Sequence, residues 1–391
     1  MIVVIADDLT GAAELAGVGW RHGLESEVWR TFDLDSEAEL VVVDADTRSM
    51  PVTAAVHRVA ALAELCRQRG VKDVFKKVDS VLRGHVIAEM TALMVGLGRT
   101  RGLLLPANPG LGRTVVGGRY FVGGVPLNET EFAQDPAHPV QSVDVLDILG
   151  PSRVFPVSSA DCSTGLPERG IVAGDALASC DVDTWAAALD ASVLPAGAAE
   201  FFAGCLNVWG YGPDVSSGAV FVPDPTASSL FVSGSSSAAS HEFCMTCEFH
   251  GIPVMRMPLR LFDGLDCAVS LLAEWSVSVL DAFDRSRVVV LAIDRPVSSA
   301  PDTANRLACH LTTAAARVLA DRPIQQVFVE GGSTAAALVQ RLGWDRLRAV
   351  AELAPGTISL RALDGCVPVL TMKPGSYEWP VCVHALLTGA A

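Results

Sequence analysis

Between Phe75 and His85 the chain reads Phe-Lys-Lys-Val-Asp-Ser-Val-Leu-Arg-Gly-His. Lys76, Lys77, Asp79 and Arg83 fall close together in a sequence that is otherwise apolar or acidic, with a hydroxyl at Ser80 and a glycine at Gly84. Cations can hold a carboxylate, while Asp and Ser can hydrogen-bond hydroxyl groups. The stretch therefore suits a small polyhydroxylated anion. A solvated strand end carrying chance charges is the competing reading. Val78, Val81 and Leu82 tie the charges to a core and favour the pocket.

Other strand tips in the first half are polar too. Ile2 to Ile5 form a continuous apolar run, as a buried parallel strand does, and Asp7-Asp8-Leu9-Thr10-Gly11 follows it. A helix fits Ala12 to Arg21. One Asp here could serve only as a helix cap, but two adjacent acids with Thr10 and Gly11 exceed that need. Leu40 to Val43 is a second buried strand, ending in Asp44-Ala45-Asp46-Thr47-Arg48-Ser49. Pro51 opens a helix to about Arg69, stopped by Gly70. A strand from Phe75 to Val78 leads into the charged stretch. Gly102 to Leu105 ends in Pro106 through Gly112-Arg113. Ligands of open α/β sheets bind outside the carboxyl ends of strands, so these tips predict one crevice. Arg119–Val122, Gly123-Gly124 and Val125–Leu127 read as a hairpin, and Asn128 to Val140 as a loop. Strands are expected at 154–157 and 171–173. No internal sequence repeat is visible.

Pro, Gly and Ser cluster from Tyr211 to Thr226, which places a domain boundary near residue 225. The expected domains are thus 1–225 and 226–391. In the second, Leu230 to Val232 meets Ser233-Gly234-Ser235-Ser236-Ser237, and a helix follows from Ala238 to about His250. Strands are expected at 288–293, 326–329 and 367–372, and a helix at 302–320. Gln326 to Val329 runs into Glu330-Gly331-Gly332-Ser333-Thr334. Val367 to Met372 runs into Lys373-Pro374-Gly375-Ser376. Small residues let a phosphate approach the backbone, and hydroxyls and helix N-termini add donors. Three such turns converging predict a nucleotide site without the lysine-containing P-loop, whose pattern is absent.

The 391 residues suffice for two cored domains, and 50% hydrophobic against 19% charged residues fits a globular chain. A net charge of −15 argues against nucleic acid, which needs a basic face. No apolar run is long enough to span a bilayer, and the N-terminus lacks signal-peptide features, so a cytoplasmic protein is expected. Cys244 and Cys247 have the spacing of half a metal site. No second pair accompanies them, so buried thiols on a helix are expected.

The combination Ala6-Asp7-Asp8-Leu9-Thr10-Gly11-Ala12, Lys77-Val78-Asp79-Ser80 with Leu82-Arg83-Gly84, and Pro106 to Arg113 resembles the four-carbon acid sugar kinase family. Gly118-Arg119-Tyr120 through Leu127 and Asp135-Pro136 to Pro139 are similar to it as well. So are Val232 to Ser235, the Glu330 to Thr334 turn, Leu353 with Pro355-Gly356, and Lys373 to Ser376. The resemblance covers nearly the whole chain. It departs at Val81, where the family often has Thr, and at Glu378, where an aromatic-Gly continuation is usual.

The resemblance implies two α/β domains, each with a largely parallel sheet flanked by helices, and an active site in the interdomain cleft. It implies an ATP-dependent kinase acting on the terminal hydroxyl of a threonate, erythronate or oxo-tetronate, with Mg²⁺ on the ATP phosphates. Asp8 is the expected catalytic residue. Asp7, Asp8, Lys77, Asp79, Ser80, Arg83 and Arg113 are expected to bind the acid. Ser233, Gly234, Ser235, Ser237, Gly331, Gly332, Ser333, Thr334, Lys373 and Gly375 are expected to bind the nucleotide. A homodimer is possible. The alternatives are a non-catalytic sensor of sugar acid or nucleotide, and a kinase for a related hydroxy acid such as 4-hydroxythreonine.

Overall fold

The computed structural model describes residues 1–31, 36–134, 139–214, 221–264, 268–295, 301–363 and 368–388. Asp135, Pro136 and His138, and the Val215 to Gly218 part of the expected linker, lie outside the described residues. The chain separates into two compact units, Met1–Gly218 and Ala219–Ala391.

In the first unit the apolar runs become strands because each is buried on both faces. Its elements are β1 (Ile2–Ala6), α1 (Leu9–Arg21), β2 (Ser26–Trp29), β3 (Leu40–Asp44), α2 (Val52–Gln68), β4 (Asp73–Lys77), α3 (Val86–Gly96) and β5 (Arg101–Leu105). A small antiparallel sheet follows, of β6 (Arg113–Val116), β7 (Arg119–Val122) and β8 (Val125–Pro126). Then come α4 (Val145–Leu149), β9 (Val157–Ala160), β10 (Gly170–Gly174), α5 (Ser179–Ala187), β11 (Val193–Gly197) and α6 (Ala199–Val208). The main sheet is parallel, in the order β2-β3-β1-β4-β11-β5-β10-β9. Phe75 of β4 packs on Phe201 and Phe202 of α6, with ring centroids 5.8 and 5.0 Å apart.

The second unit contains β12 (Ser229–Ser233), α7 (Ala238–Phe249), β13 (Val254–Arg256), α8 (Leu259–Phe262), α9 (Ala268–Phe283), β14 (Val288–Ala292), α10 (Pro301–Asp321) and β15 (Gln326–Glu330). It continues with α11 (Gly332–Leu342), β16 (Arg346–Ala354), β17 (Thr357–Ala362), β18 (Val369–Lys373) and α12 (Val381–Thr388). Strand order is β13-β14-β12-β15-β18-β17-β16, parallel up to β18 and antiparallel through β17 and β16. Phe231 stacks on Phe328 at 4.6 Å, and Trp379 meets both edge-on.

The expected α/β fold with largely parallel sheets is found in both units. The strand expected at 154–157 sits further on, at Val157–Ala160. Pro156 has no N–H for the ladder, so pairing starts after it, and its carbonyl accepts from Ile171 at 2.8 Å. The first helix starts at Leu9 rather than Ala12, because Asp8 caps it. Cys244 and Cys247 are buried free thiols on α7, as expected. Among the described residues no helix is long and apolar enough to cross a membrane.

The two units open with the same topology, although no sequence repeat announces it. In each, the second and third strands in chain order lie on one side of the first, and the fourth lies on the other. Such a switch point opens a crevice beyond the strand ends. It falls between β1 and β4 in one unit and between β12 and β15 in the other.

Candidate active site

At the β1–β4 crevice three carboxylates gather round one guanidinium. The parallel register aligns Ala6 with Asp44 of β3 and with Lys77 of β4, so the residues just beyond all three strands share one level. Arg48, from the turn after β3, reaches back over β1. Asp7 takes it bidentately, Oδ2 accepting from Nε at 2.8 Å and Oδ1 from Nη2 at 3.1 Å. Asp8 Oδ2 accepts from Nη1 at 2.7 Å, and Asp8 Oδ1 accepts from the Gly11 N–H at 2.8 Å. Arg48 Nη2 also stands 3.6 Å from Asp79 Oδ1.

Burial opposes the charge on Asp7, but Arg48 and Lys76 outweigh it and hold the carboxyl below its usual range. Asp8 goes the other way. Burial, helped by the adjacent Asp7 charge, pushes its carboxyl up against the pull of Arg48 and Lys77. Asp8 is also the accessible member, with its side chain 25% exposed against 6% for Asp7 and for Asp79.

The charged stretch after β4 folds into a tight turn built on Asp79. Its Oδ2 accepts from the Val81 and Arg83 backbone N–H groups at 3.2 and 3.1 Å. Arg83 closes the turn with Nε on Oδ2 at 2.9 Å and Nη2 on Oδ1 at 2.8 Å. Leu82 adopts a φ of +65°, a left-handed conformation that a branched residue keeps only when its surroundings enforce it. Burial opposes the Asp79 charge, yet Arg83 and Arg48 hold the carboxyl well below its usual range. Gly84, at φ +90°, backs onto Arg48: a Cβ there would lie 3.3 Å from Arg48 Cγ.

The two lysines turn inward. Lys77 Nζ donates to the Val78 carbonyl at 2.8 Å and lies 3.3 Å from Glu14 Oε2 on α1. Lys76 Nζ pairs with Glu89 of α3 at 2.9 Å in the core. Arg113, the first residue of β6, donates from Nη1 to Ser80 Oγ. Tyr120 of β7 is buried and donates to the carbonyls of Ser80 and Pro106. The small antiparallel sheet is thereby pinned to the crevice.

In the second unit the three Gly/Ser turns meet. The register sets Ser233, Glu330 and Lys373 side by side at the ends of β12, β15 and β18. Lys373 Nζ binds Glu330 Oε1 at 2.9 Å and the Tyr377 carbonyl at 2.5 Å, and lies 4.9 Å from the Trp379 ring centroid. Ser233 Oγ donates to Glu330 Oε2 at 3.0 Å. Burial lowers the Lys373 pKa against the opposing pull of Glu330. Ser237 caps α7 by accepting from the Ser240 N–H at 3.2 Å, and its hydroxyl donates to the Gly375 carbonyl at 2.7 Å. Ser235 Oγ reaches the same carbonyl at 3.3 Å. Gly234 cannot carry a side chain, because a Cβ would lie 1.9 Å from Thr334 Oγ1. Gly331 caps α11, which begins at Gly332 with Ser333 exposed and Thr334 buried.

Asp7, Asp8, Asp79 and Arg83 thus come together round Arg48, with Ser80 and Arg113 joined beside them. Lys77 lies beneath, and Lys373 orders its own turn from inside. Of the two departures from the family pattern, Val81 is fully buried, while Glu378 is exposed and its charge adds to the pull of Glu330 on Lys373. Arg48, Glu14, Tyr120 and Glu330 escaped the sequence reading as site residues. For Arg48 a signal existed, an arginine at a strand tip among the acids Asp44 and Asp46.

One unit built on a charged crevice and one on Gly/Ser turns together define a two-domain α/β enzyme. A family model described as a sugar-binding N-terminal domain matches residues 2–203, and one described as a nucleotide-binding C-terminal domain matches residues 230–377. The chain belongs to the four-carbon acid sugar kinase family. It is 29% identical to a 3-oxo-tetronate kinase of Methylobacterium radiotolerans, over 95% of each chain. It is 28% identical to a D-threonate kinase of Salmonella typhimurium, over 96% of this chain and 95% of that one. Among solved structures, a Salmonella typhimurium LT2 protein shares the fold at a TM-score of 0.79 and 21% identity, covering 100% of this chain and 98% of that one. A Haemophilus influenzae protein does so at 0.75 and 19%, covering 100% of both.

Proposed function

We propose that this protein is an ATP-dependent kinase that phosphorylates the terminal hydroxyl of a four-carbon sugar acid of the threonate, erythronate or oxo-tetronate type. The observation that carries the acid site is the unequal exposure of its carboxylates. Asp8 is 25% exposed and has a raised pKa, while Asp7 and Asp79 are sealed against arginines. In this reading Asp8 orients the attacking hydroxyl and accepts its proton. Arg83 and Arg113 hold the carboxylate, Ser80 meets a substrate hydroxyl, and Asp79, taken up by Arg83 and the turn's own N–H groups, shapes the turn that presents them. Lys77 contributes positive potential from below. The turns at 233–237, 331–334 and 373–375 hold ATP through backbone N–H groups and hydroxyls, with Lys373 fixing the last turn.

The hydroxyl oxygen attacks the γ-phosphorus as the bond to the β,γ-bridging oxygen breaks, and ADP leaves with that electron pair. An alcohol is too weak an acid to ionise freely at neutral pH, and the transition state is loose. Positioning and charge neutralisation therefore outweigh base strength. Among the described residues no three His, Cys, Asp or Glu side chains are arranged to hold a metal. Mg²⁺ would arrive on the ATP phosphates, held largely by water. The described cysteines are free thiols, which fits a cytoplasmic setting.

The test is incubation with Mg-ATP and a panel of tetronates, extended to 4-hydroxythreonine, with ADP as the readout. Acid-dependent ADP release supports the reading. Tight acid binding without ADP release would make the protein a sensor.

A further inference from the structure

We propose that Arg48 is a positioning residue that holds Asp8 in its working orientation and makes a site with three carboxylates acceptable to an anionic substrate. This deepens the kinase reading and rests on it.

Arg48 spends its guanidinium on this task. Nε and Nη2 grip Asp7, Nη1 grips Asp8 Oδ2, and Nη2 also faces Asp79. Asp8 is thereby fixed at both oxygens, by Arg48 on one and by the Gly11 N–H on the other. Among the described residues the neighbouring cations are engaged elsewhere. Arg83 is turned to Asp79, and Lys77 to the Val78 carbonyl and Glu14. The fold is shaped round the arginine. The Asp7 carbonyl accepts from the Thr47 and Arg48 N–H groups at 3.0 and 3.2 Å, anchoring its backbone. Gly84 leaves the space its side chain occupies. A lysine would keep the charge, but a point-like ammonium cannot span Asp7 and Asp8 as the planar fork does.

The groups facing Asp8 are Asp7 on its own segment, Arg48 and Asp44 from the β3 end, and Lys77 at the β4 end with Glu14 behind it. Losing the Arg48 charge removes the main pull that keeps the Asp8 carboxyl ionised. The acid limb of the pH–rate profile must then move to higher pH.

The experiment compares the wild type with Arg48→Lys and Arg48→Gln, measuring kcat and KM for the best tetronate across pH 5–9 and ATP affinity by calorimetry. For Arg48→Lys, kcat is expected to fall on the order of 100-fold, with less change in KM for the acid. For Arg48→Gln, the acid limb moves up in pH and acid binding is also lost, while ATP affinity stays within about twofold in both variants. Wild-type kcat and an unmoved acid limb in both variants would overturn the proposal. So would a Lys variant as impaired in acid binding as the Gln variant. A wild type inactive on every tetronate would instead defeat the kinase reading itself.

Discussion

Arg83 lies flat along the Asp79 carboxylate, with Nε 2.9 Å from Oδ2 and Nη2 2.8 Å from Oδ1. The pair closes the turn that carries Ser80, so one contact shapes the pocket and sets its charge. In the proposed kinase reading, a substrate carboxylate would compete with Asp79 for this guanidinium or use its outer edge.

Arg83→Ala is expected to raise KM for the acid roughly 10- to 100-fold, the worth of a charged hydrogen-bonded contact. The change in kcat should be smaller. The variant also leaves Asp79 short of its main partner. The loss of stability should be roughly 2–3 kcal/mol, below that of a fully buried pair because Arg83 is partly exposed. Steady-state kinetics and urea unfolding measure the two effects.

Asp8→Asn keeps the shape and the bond from Gly11 but removes the proton acceptor. Its kcat is expected to fall about 10²- to 10⁴-fold, with KM for acid and ATP nearly unchanged. Single-turnover phosphoryl transfer isolates the step. Equal, small losses in both parameters would remove Asp8 from the chemistry.

Gly234→Ala places a methyl group 1.9 Å from Thr334 Oγ1. The turns after β12 and β15 must then separate, at a cost of about 1–3 kcal/mol. Calorimetry is expected to show ATP binding weakened or lost with acid binding intact. A double variant, Gly234→Ala with Thr334→Ser, still holds the clashing oxygen and should not recover. Thr334→Ala in the same background should.

Asp44 gives a pH signature. Burial, with Asp46 and Asp8 nearby, raises its pKa to about 7. The unfolded value is about 3.9, so between these limits the folded protein binds the extra proton. Stability from this group therefore falls as pH rises from about 4 to about 7 and levels off above. Asp44→Asn should flatten that slope and raise Tm at pH 8. Asp7 and Asp79 act oppositely. Their lowered values give stability that is present above about pH 4 and lost as pH falls further. Thermal melts from pH 3 to pH 9 separate the two directions.

Much of this was legible in the residues. Short continuous apolar runs such as Ile2–Ile5 and Val288–Ile293, bounded by turn residues, read as strands buried on both faces, and the polar turns after them mark the crevice side. Asp7, Asp8, Asp79 and Arg83 could be picked out because their neighbours leave them no other place than a strand tip. The direction of a side chain was not legible. Lys77 and Lys373 read as cations open to a ligand, yet each folds back onto carbonyls and a glutamate. Arg48 read as one more polar residue at a strand end.

The sequence by itself determined the element types, the polar tips and the family, because burial periodicity and turn chemistry are local. Tertiary structure decided which tips are neighbours. Only the strand order, which sets β3 and β4 on either side of β1, makes Arg48 the shared partner of Asp7, Asp8 and Asp79. Charges far apart in the chain interact through distance, and distance is fixed by packing.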